Sequence, residues 1–248
     1  MRAVVSAVLA VLFAIAPLTA RAEEGILDRL DAAGTRLYGD YKAFYLDNGT
    51  YLRLGGSLAV GGALANTGAD AGVRDFYQEN IRNSATDVLS DITRLPGEAL
   101  LTIPALAVYY LSSESVWAER SLRALLVGGP LGLFLRSATG GGRPTEGGSD
   151  WRPFSNNNGL SGHSFIGAAP FITAAKMEER ACVRWLLYGA STLPALSRIN
   201  DDEHYLSQAA LGWYLAYLSA SAVEKGTATA LSIAPYKDGV FVSLALDF

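Results

Sequence analysis

The chain is poor in the residues that build disulfide-linked folds and metal sites. Its 248 residues include two histidines and one cysteine, Cys182. A single cysteine forms no disulfide within the chain, and in its apolar stretch we expect Cys182 to be a small buried hydrophobe. No Cys/His cluster typical of zinc and no acidic loop typical of calcium occurs. The sequence therefore predicts neither a metal nor another cofactor.

A basic run is also missing. The chain carries 20 Lys and Arg against 24 Asp and Glu, a net charge of −4 at pH 7. Nucleic-acid-binding proteins need a basic patch or stripe, so this charge balance predicts no nucleic-acid partner. An anionic substrate would have to be bound by a few placed arginines rather than by a general positive field.

Residues 1–22 have the pattern of a secretory signal peptide. Arg2 precedes an apolar stretch of 14 residues and then an Ala-x-Ala cleavage site that ends at Ala22. The stretch is shorter than the ~20 residues of a membrane span, so we favour cleavage over an uncleaved anchor. Cleavage predicts one mature domain over residues 23–248, exported to the periplasm or cell envelope.

Later apolar runs are short for membrane helices. The longest, from Tyr205 to Val223, is uncharged over 19 residues, close to the ~20 that a span needs. Buried helices of a soluble bundle have the same composition. We therefore interpret the mature chain as a largely soluble domain and leave association with a membrane surface open. The pattern predicts no particular oligomeric state.

Apolar residues recur at helical spacing along most of the chain. The predicted helices cover residues 25–46, 54–65, 84–113 with a Pro-Gly break, 117–139, 164–175, 183–196 and 205–223. Asn48-Gly49 is a turn signal that predicts a short hairpin. Alternating apolar residues after Asp238-Gly239 predict a terminal hairpin over residues 229–248. The fold prediction is all-α, a helical bundle with short β-hairpin additions that include the C-terminal tail.

Both histidines lie where a polar loop meets a helix. His163 follows the longest loop, residues 140–162, which is rich in Gly, Asn and Ser, and His204 precedes the last apolar helix. Loops of this length inside a compact domain are usually functional or mobile. Arg136 and Arg143 flank the three glycines that begin the loop, and we interpret this half of the chain as the working end.

These residues, in this order, resemble the three motifs of the type 2 phosphatidic acid phosphatase and vanadium haloperoxidase superfamily. The motifs are K-x6-R-P, P-S-G-H and S-R-x5-H-x3-D. The first reads RSATGGGRP, with Arg136 in the lysine place and Arg143 matching. The second reads LSGH, with Leu160 in the proline place. The third reads SRINDDEHYLSQ, with His204 at the correct spacing and Gln208 in the aspartate place.

The resemblance extends over the helices around the motifs, a motif core of about residues 100–223, and implies the helical fold of that superfamily. Residues 23–95 match no motif. The resemblance implies that His204 is a nucleophile and that His163 is the acid and base of the reaction. The groups that it implies for phosphate binding are Arg136, Arg143, Ser161, Gly162 and Arg198.

The activity implied is that of a metal-independent phosphatase. It would hydrolyse phosphate monoesters, lipid phosphates above all, through a phosphohistidine intermediate. Two alternatives stay open. The same pocket can hold vanadate, which makes a vanadate-dependent haloperoxidase the second hypothesis, and a catalytically weakened homologue that binds phosphate or lipid is the third.

Gln208 motivates the third hypothesis. One helical turn after His204, it lies on the same face and its amide oxygen can accept the imidazole N–H, but it carries no charge. We expect the imidazole of His204 to be oriented by Gln208 but to be a less activated nucleophile than it would be beside an aspartate. The acidic run over residues 201–203 is interpreted as a solvated loop, one of whose carboxylates is an alternative partner for His204.

Overall fold

The structure, a computed structural model, describes the backbone of residues 23–236 and 239–246 and the side-chain surroundings of residues 34–226. The predicted signal peptide lies outside the described residues. The described helices are α1 (Glu23–Tyr45), α2 (Asn48–Asn66), α3 (Ala69–Asn80), α4 (Ser84–Thr93), α5 (Ala99–Ser113), α6 (Val116–Thr139), α7 (Gly162–Met177), α8 (Ala181–Ser191), α9 (Leu193–Asn200) and α10 (Leu206–Ala228). This architecture confirms the predicted helical bundle.

The core of the bundle forms where α10 packs against α7, α6 and α1. Leu215 and Ile172 are buried there. Small residues let the helix backbones approach closely. A Cβ placed on Gly128 of α6 would lie 2.1 Å from the hydroxyl oxygen of Ser219 on α10, and a Cβ placed on Gly212 would lie 2.3 Å from the carbonyl oxygen of Ser161. The second contact seats the start of α7 on the first half of α10, which fixes the site described below.

The chain between α4 and α5 turns through a short 3-10 helix, Leu95–Gly97. This is the Pro-Gly break that the sequence predicts. Within residues 23–236 and 239–246, no single helix is long and apolar enough to cross a membrane. The two segments Ser84–Gly97 and Ala99–Ser113 pass that test together by length and composition, with a bend of 53° between them.

The hairpin predicted at Asn48-Gly49 is wrong. The residues begin helix α2 instead, because Asp47 acts as its N-cap and accepts a hydrogen bond from the backbone N–H of Thr50 at 3.0 Å. An N-cap aspartate satisfies one of the free N–H groups of the first turn, which favours a helix start over a hairpin turn.

The predicted single helix over residues 183–196 is two helices. Helix α8 ends at Ser191, and α9 begins at Leu193 with Pro194 in its first turn. Proline lacks an N–H, which suits it to the first turn of a helix and disfavours it in a helix interior. The break separates α9 from α8, and the last turn of α9 carries Arg198.

The prediction that Cys182 is buried is also wrong. Cys182 is exposed on α8, beside Trp185 and Leu186, whose side chains are exposed too. The apolar stretch therefore contributes residues to the outside of the bundle as well as to its core. Hydrophobic composition alone does not distinguish the two sides of such a helix.

The chain after α10 forms two antiparallel strands, β1 (Thr229–Tyr236) and β2 (Gly239–Leu246), with Ile233 opposite Val242. The C-terminal hairpin agrees with the alternating pattern of the sequence. Asp238 of the predicted turn and the terminal Phe248 lie outside the described residues.

Candidate active site

Gln208 fixes the ring of His204. The Nδ1 of His204 lies 2.9 Å from the amide oxygen Oε1 of Gln208, which also accepts the backbone N–H of Tyr205 at 3.2 Å. On its other side, the Nε2 of Gln208 donates to the carbonyl oxygen of Gly142 at 2.7 Å. These two backbone partners assign which end of the amide is oxygen. Because Oε1 can only accept, the Nδ1 of His204 must carry the proton.

The same contact leaves the Nε2 of His204 with a lone pair. A neutral imidazole that is protonated at Nδ1 is a base and nucleophile at Nε2. In the described part of the chain, this Nε2 makes no hydrogen bond to protein. His204 is therefore held in one tautomer with its reactive nitrogen free.

Burial keeps His204 uncharged at neutral pH. The residue is 7% exposed, and loss of hydration lowers its pKa from 6.5 to about 4. The hydrogen bond to Gln208 opposes the shift, and the positive charges of Arg198, Arg143 and Arg136 add to it. The structure thus brings all three sequence-selected arginines within electrostatic reach of His204.

This low pKa predicts a loss of stability in acid. The folded protein has the lower pKa, so the unfolded chain takes up the proton first as the pH falls from 6.5 towards 4. His204 alone should therefore lower the free energy of unfolding by about 3 kcal/mol across that range. Urea unfolding at pH 7 and pH 4 measures it, with His204→Gln as the matched variant. Equal losses in the two proteins would contradict the shifted pKa.

Arg198 is the most enclosed of the three arginines. Its side chain is 10% exposed, and its Nη1 and Nη2 lie 3.3 Å from Asp201 and 3.5 Å from Glu203. Its Nε is buried without a hydrogen-bond partner among the described residues. Buried donors are almost always satisfied, so this N–H is available to an acceptor that enters the site.

Arg136 and Arg143 are held by the far end of the long loop. The Nε of Arg136 donates to the carbonyl oxygen of Asn157 at 3.0 Å, and that of Arg143 donates to Oδ1 of Asn158 at 3.3 Å. The Nη1 of Arg143 also contacts Glu203 at 2.5 Å. Arg136 lies in the last turn of α6, where the helix dipole stabilises its positive charge.

Glycines let this loop close on itself. Gly140 has a positive φ of 65°, and a Cβ there would lie 1.7 Å from the carbonyl oxygen of Arg152. A Cβ on Gly159 would lie 1.7 Å from Oγ1 of Thr139. Only glycine fits both places. Gly140, in the three-glycine turn, and Gly159, at the far end of the loop, therefore let the loop pack back on itself beside the arginines.

Ser161 joins the second motif to the third. It is the N-cap of α7, where its fully buried hydroxyl accepts the N–H of Ser164 at 3.3 Å, and its own N–H donates to the carbonyl oxygen of Gln208 at 2.9 Å. A helix N-terminus attracts anions. Around Gly162, the first residue of α7, a Cβ would meet nothing within 4 Å, so open space borders the backbone.

His163 has a partner that sequence reasoning missed. Its Nε2 lies 3.2 Å from Oε1 of Glu98, the residue just before α5. Gly97 packs against the backbone of His163, where a Cβ would come within 2.8 Å of the carbonyl oxygen. No hydrogen bond or ion pair in the described range 34–226 joins the His163 ring to His204.

Residues 201–203 are partly exposed, but their interpretation as a solvated loop is incomplete, because each carboxylate has a protein partner. Asp201 accepts the hydroxyl of Ser90 at 2.6 Å, Asp202 accepts hydrogen bonds from Nε and Nη2 of Arg74, and Glu203 lies between two arginines of the site. Arginine and serine partners, rather than water alone, hold these carboxylates. Within residues 34–226, Gln208 and none of these three carboxylates makes a hydrogen bond to the imidazole of His204.

Helices α3 and α4 hold the loop that carries His204. Asp70 is fully buried, so its pKa is raised, and it accepts the backbone N–H of Ser207 at 2.9 Å. Asp87 accepts Nδ2 of Asn200 at 2.9 Å. Gln78 donates to the carbonyl oxygen of Ile199 at 2.9 Å. These contacts span more than 100 residues, so no local spacing marks them.

Among the residues that the structure describes, no group of three or more His, Cys, Asp or Glu side chains could hold a metal ion.

Comparisons with known proteins give one structural likeness. A scan against protein-family models and a search of curated proteins found no match. The crystal structure of Aquifex aeolicus LpxE is similar over 60% of this chain and 92% of that chain, with 18% sequence identity and a TM-score of 0.46. At that level the likeness assigns no activity or substrate to this chain.

Proposed function

We propose that the protein is a phosphatase that hydrolyses phosphate monoesters, with lipid phosphates as the preferred class, through a phosphohistidine at His204. One observation carries the proposal. A neutral imidazole, fixed through Nδ1 by Gln208 and free at Nε2, lies within electrostatic reach of three arginines. Nucleophile and anion-binding groups together are what phosphoryl transfer requires.

In the proposed reaction, Nε2 of His204 attacks phosphorus and the bond to the ester oxygen breaks. Guanidinium forks of Arg143 and Arg198 stabilise the charge on the phosphoryl oxygens. His163 gives a proton to the leaving alkoxide and then takes one from the water that cleaves the N–P bond. The products are an alcohol and inorganic phosphate, and His204 returns to its neutral form.

An apolar groove supports the lipid class. The groove has a volume of about 700 Å³ and is lined by side chains of the five helices α4 to α8 and of the 3-10 helix, among them Leu95, Pro96 and Leu101. Pro96 is followed directly by Gly97 and Glu98, which contact His163. Apolar walls suit an acyl chain. A chain in this groove would bring its head group towards the acid of the reaction.

Phosphate release from a substrate panel tests the proposal. The panel is an aryl phosphate, glycerol phosphate and a lipid phosphate in mixed micelles, each with EDTA present, and His204→Ala gives the background. We expect release from all three, fastest from the lipid. Wild type at the level of the His204→Ala background on the whole panel would refute the phosphatase.

Groove variants test the lipid class separately. Leu101 is 52% exposed in the groove and Leu52 is 78% exposed on α2, outside it. Leu101→Glu should lower kcat/KM for the lipid substrate about tenfold and leave the aryl phosphate unchanged, because a charge in the groove opposes an acyl chain. Leu52→Glu carries the same charge and should change neither. An equal effect of the two variants would show that the groove does not bind the acyl chain.

A further inference from the structure

Glu203 occupies the space between two of the site's arginines. One carboxylate oxygen, Oε2, lies 2.5 Å from Nη1 of Arg143 and 3.5 Å from Nη2 of Arg198. A negative oxygen shared by two guanidinium groups is the contact that these arginines would make with a phosphoryl oxygen. Glu203 therefore already fills part of the place that the proposed function gives to phosphate.

We propose that Glu203 is an internal anion that a phosphate group must displace from Arg143 and Arg198, and that it sets which phosphates the site accepts. The idea rests on the proposed function for the identity of the incoming anion. A small anion has to compete with the carboxylate using its charge alone. A substrate with additional binding surface can displace it, so Glu203 selects against free phosphate and against small esters.

The surroundings of Glu203 allow its side chain to move while its backbone stays fixed. Its side chain is 36% exposed and that of Arg143 is 39% exposed, so solvent borders the pair. The N–H groups of Glu203 and His204 both donate to the carbonyl oxygen of Arg198, at 3.0 Å and 3.1 Å. Rotation of the Glu203 side chain towards solvent thus releases the arginines without moving the nucleophile.

The neighbouring carboxylates cannot take this role. Both oxygens of Asp202 pair with Arg74 of α3. Asp201 contacts Nη1 of Arg198, but it also accepts the hydroxyl of Ser90 on α4 and is less exposed than Glu203. Glu203 alone of the three contacts two arginines of the site. Asp202 accordingly offers a control with the same change of charge one residue away.

Binding of inorganic phosphate tests the inference without turnover. Calorimetric or ³¹P titration at constant ionic strength gives Kd for wild type, Glu203→Gln and Asp202→Asn, with a thermal melt of each protein to show that it is folded. Glu203→Gln should bind phosphate about five to ten times more tightly, since the pair is partly exposed and its strength moderate. Asp202→Asn should stay within about twofold of wild type.

Three results would overturn the inference. They are unchanged or weaker phosphate binding by Glu203→Gln, equal tightening in Asp202→Asn, and no phosphate binding by any of the three proteins. Failure of the proposed function looks different. Tighter binding by Glu203→Gln, with no phosphate released from any substrate, would support Glu203 as an internal anion and contradict the proposed phosphatase activity.

Discussion

Alanine at position 204 should leave no covalent phosphoenzyme and lower phosphate release by at least about 10,000-fold. The reason is the Nε2 lone pair, which the structure leaves free within reach of three positive charges. Gln208 keeps its bonds to Tyr205 and Gly142 in the variant, so the surrounding structure should persist.

Rapid quenching with a ³²P-labelled substrate measures this. Wild type should carry a label that is labile in acid and stable in alkali, as expected of a nitrogen–phosphorus bond. His163→Gln is the informative companion, because it should still take up label from a substrate with a good leaving group and then lose it slowly. A label of wild-type extent in His204→Ala would assign the nucleophile elsewhere.

Gln208→Leu should lower kcat by about 100- to 10,000-fold and change KM little. The upper end of this range is the loss seen when tautomer control of a catalytic histidine is removed in another enzyme. Leucine fills a similar volume but cannot accept the proton of His204 Nδ1, and it leaves the carbonyl oxygen of Gly142 without its donor. The ring can then adopt the wrong tautomer. Single-turnover rates compared with phosphate affinity would separate this from a loss of binding.

Two charged variants test how the lack of an aspartate at position 208 affects His204. Gln208→Glu keeps the acceptor and adds a charge beside Nδ1, which should raise the pKa of His204 above about 4, as seen in the titration of its ring by NMR. Gln208→Asp is too short to keep all three contacts of the amide. A large gain of activity in Gln208→Asp, from a wild type near zero, would favour the weakened binding homologue.

The sequence predicts the bundle well because its signals are local. Helical spacing, the Pro-Gly break at residues 96–97 and the alternating tail each act over a few residues. The misplaced elements depend on a single capping or breaking residue. Asp47 starts a helix where Asn48-Gly49 suggests a turn, and Pro194 divides a run that reads as continuous.

Only the residues of the candidate site that belong to a motif can be predicted from the sequence. The resemblance to three family motifs selects Arg136, Arg143, Arg198, His204 and Gln208, and the structure brings these five together. The sequence does not reveal that Gln208 has two backbone partners, that Glu98 contacts His163, or that Glu203 bridges two arginines. Those facts depend on how loops fold back across the bundle, which no local pattern records.

The contacts of α3 and α4 with the loop before α10 have a consequence for how the protein could be divided. Asp70, Gln78 and Asp87 bind Ser207, Ile199 and Asn200 through buried or partly buried hydrogen bonds. A fragment restricted to residues 100–223 would contain every motif and lack all of these partners. Its loop would expose unpaired backbone and amide groups and sample many conformations. The N-terminal third of the chain is thus the template on which the loop that carries His204 acquires its shape.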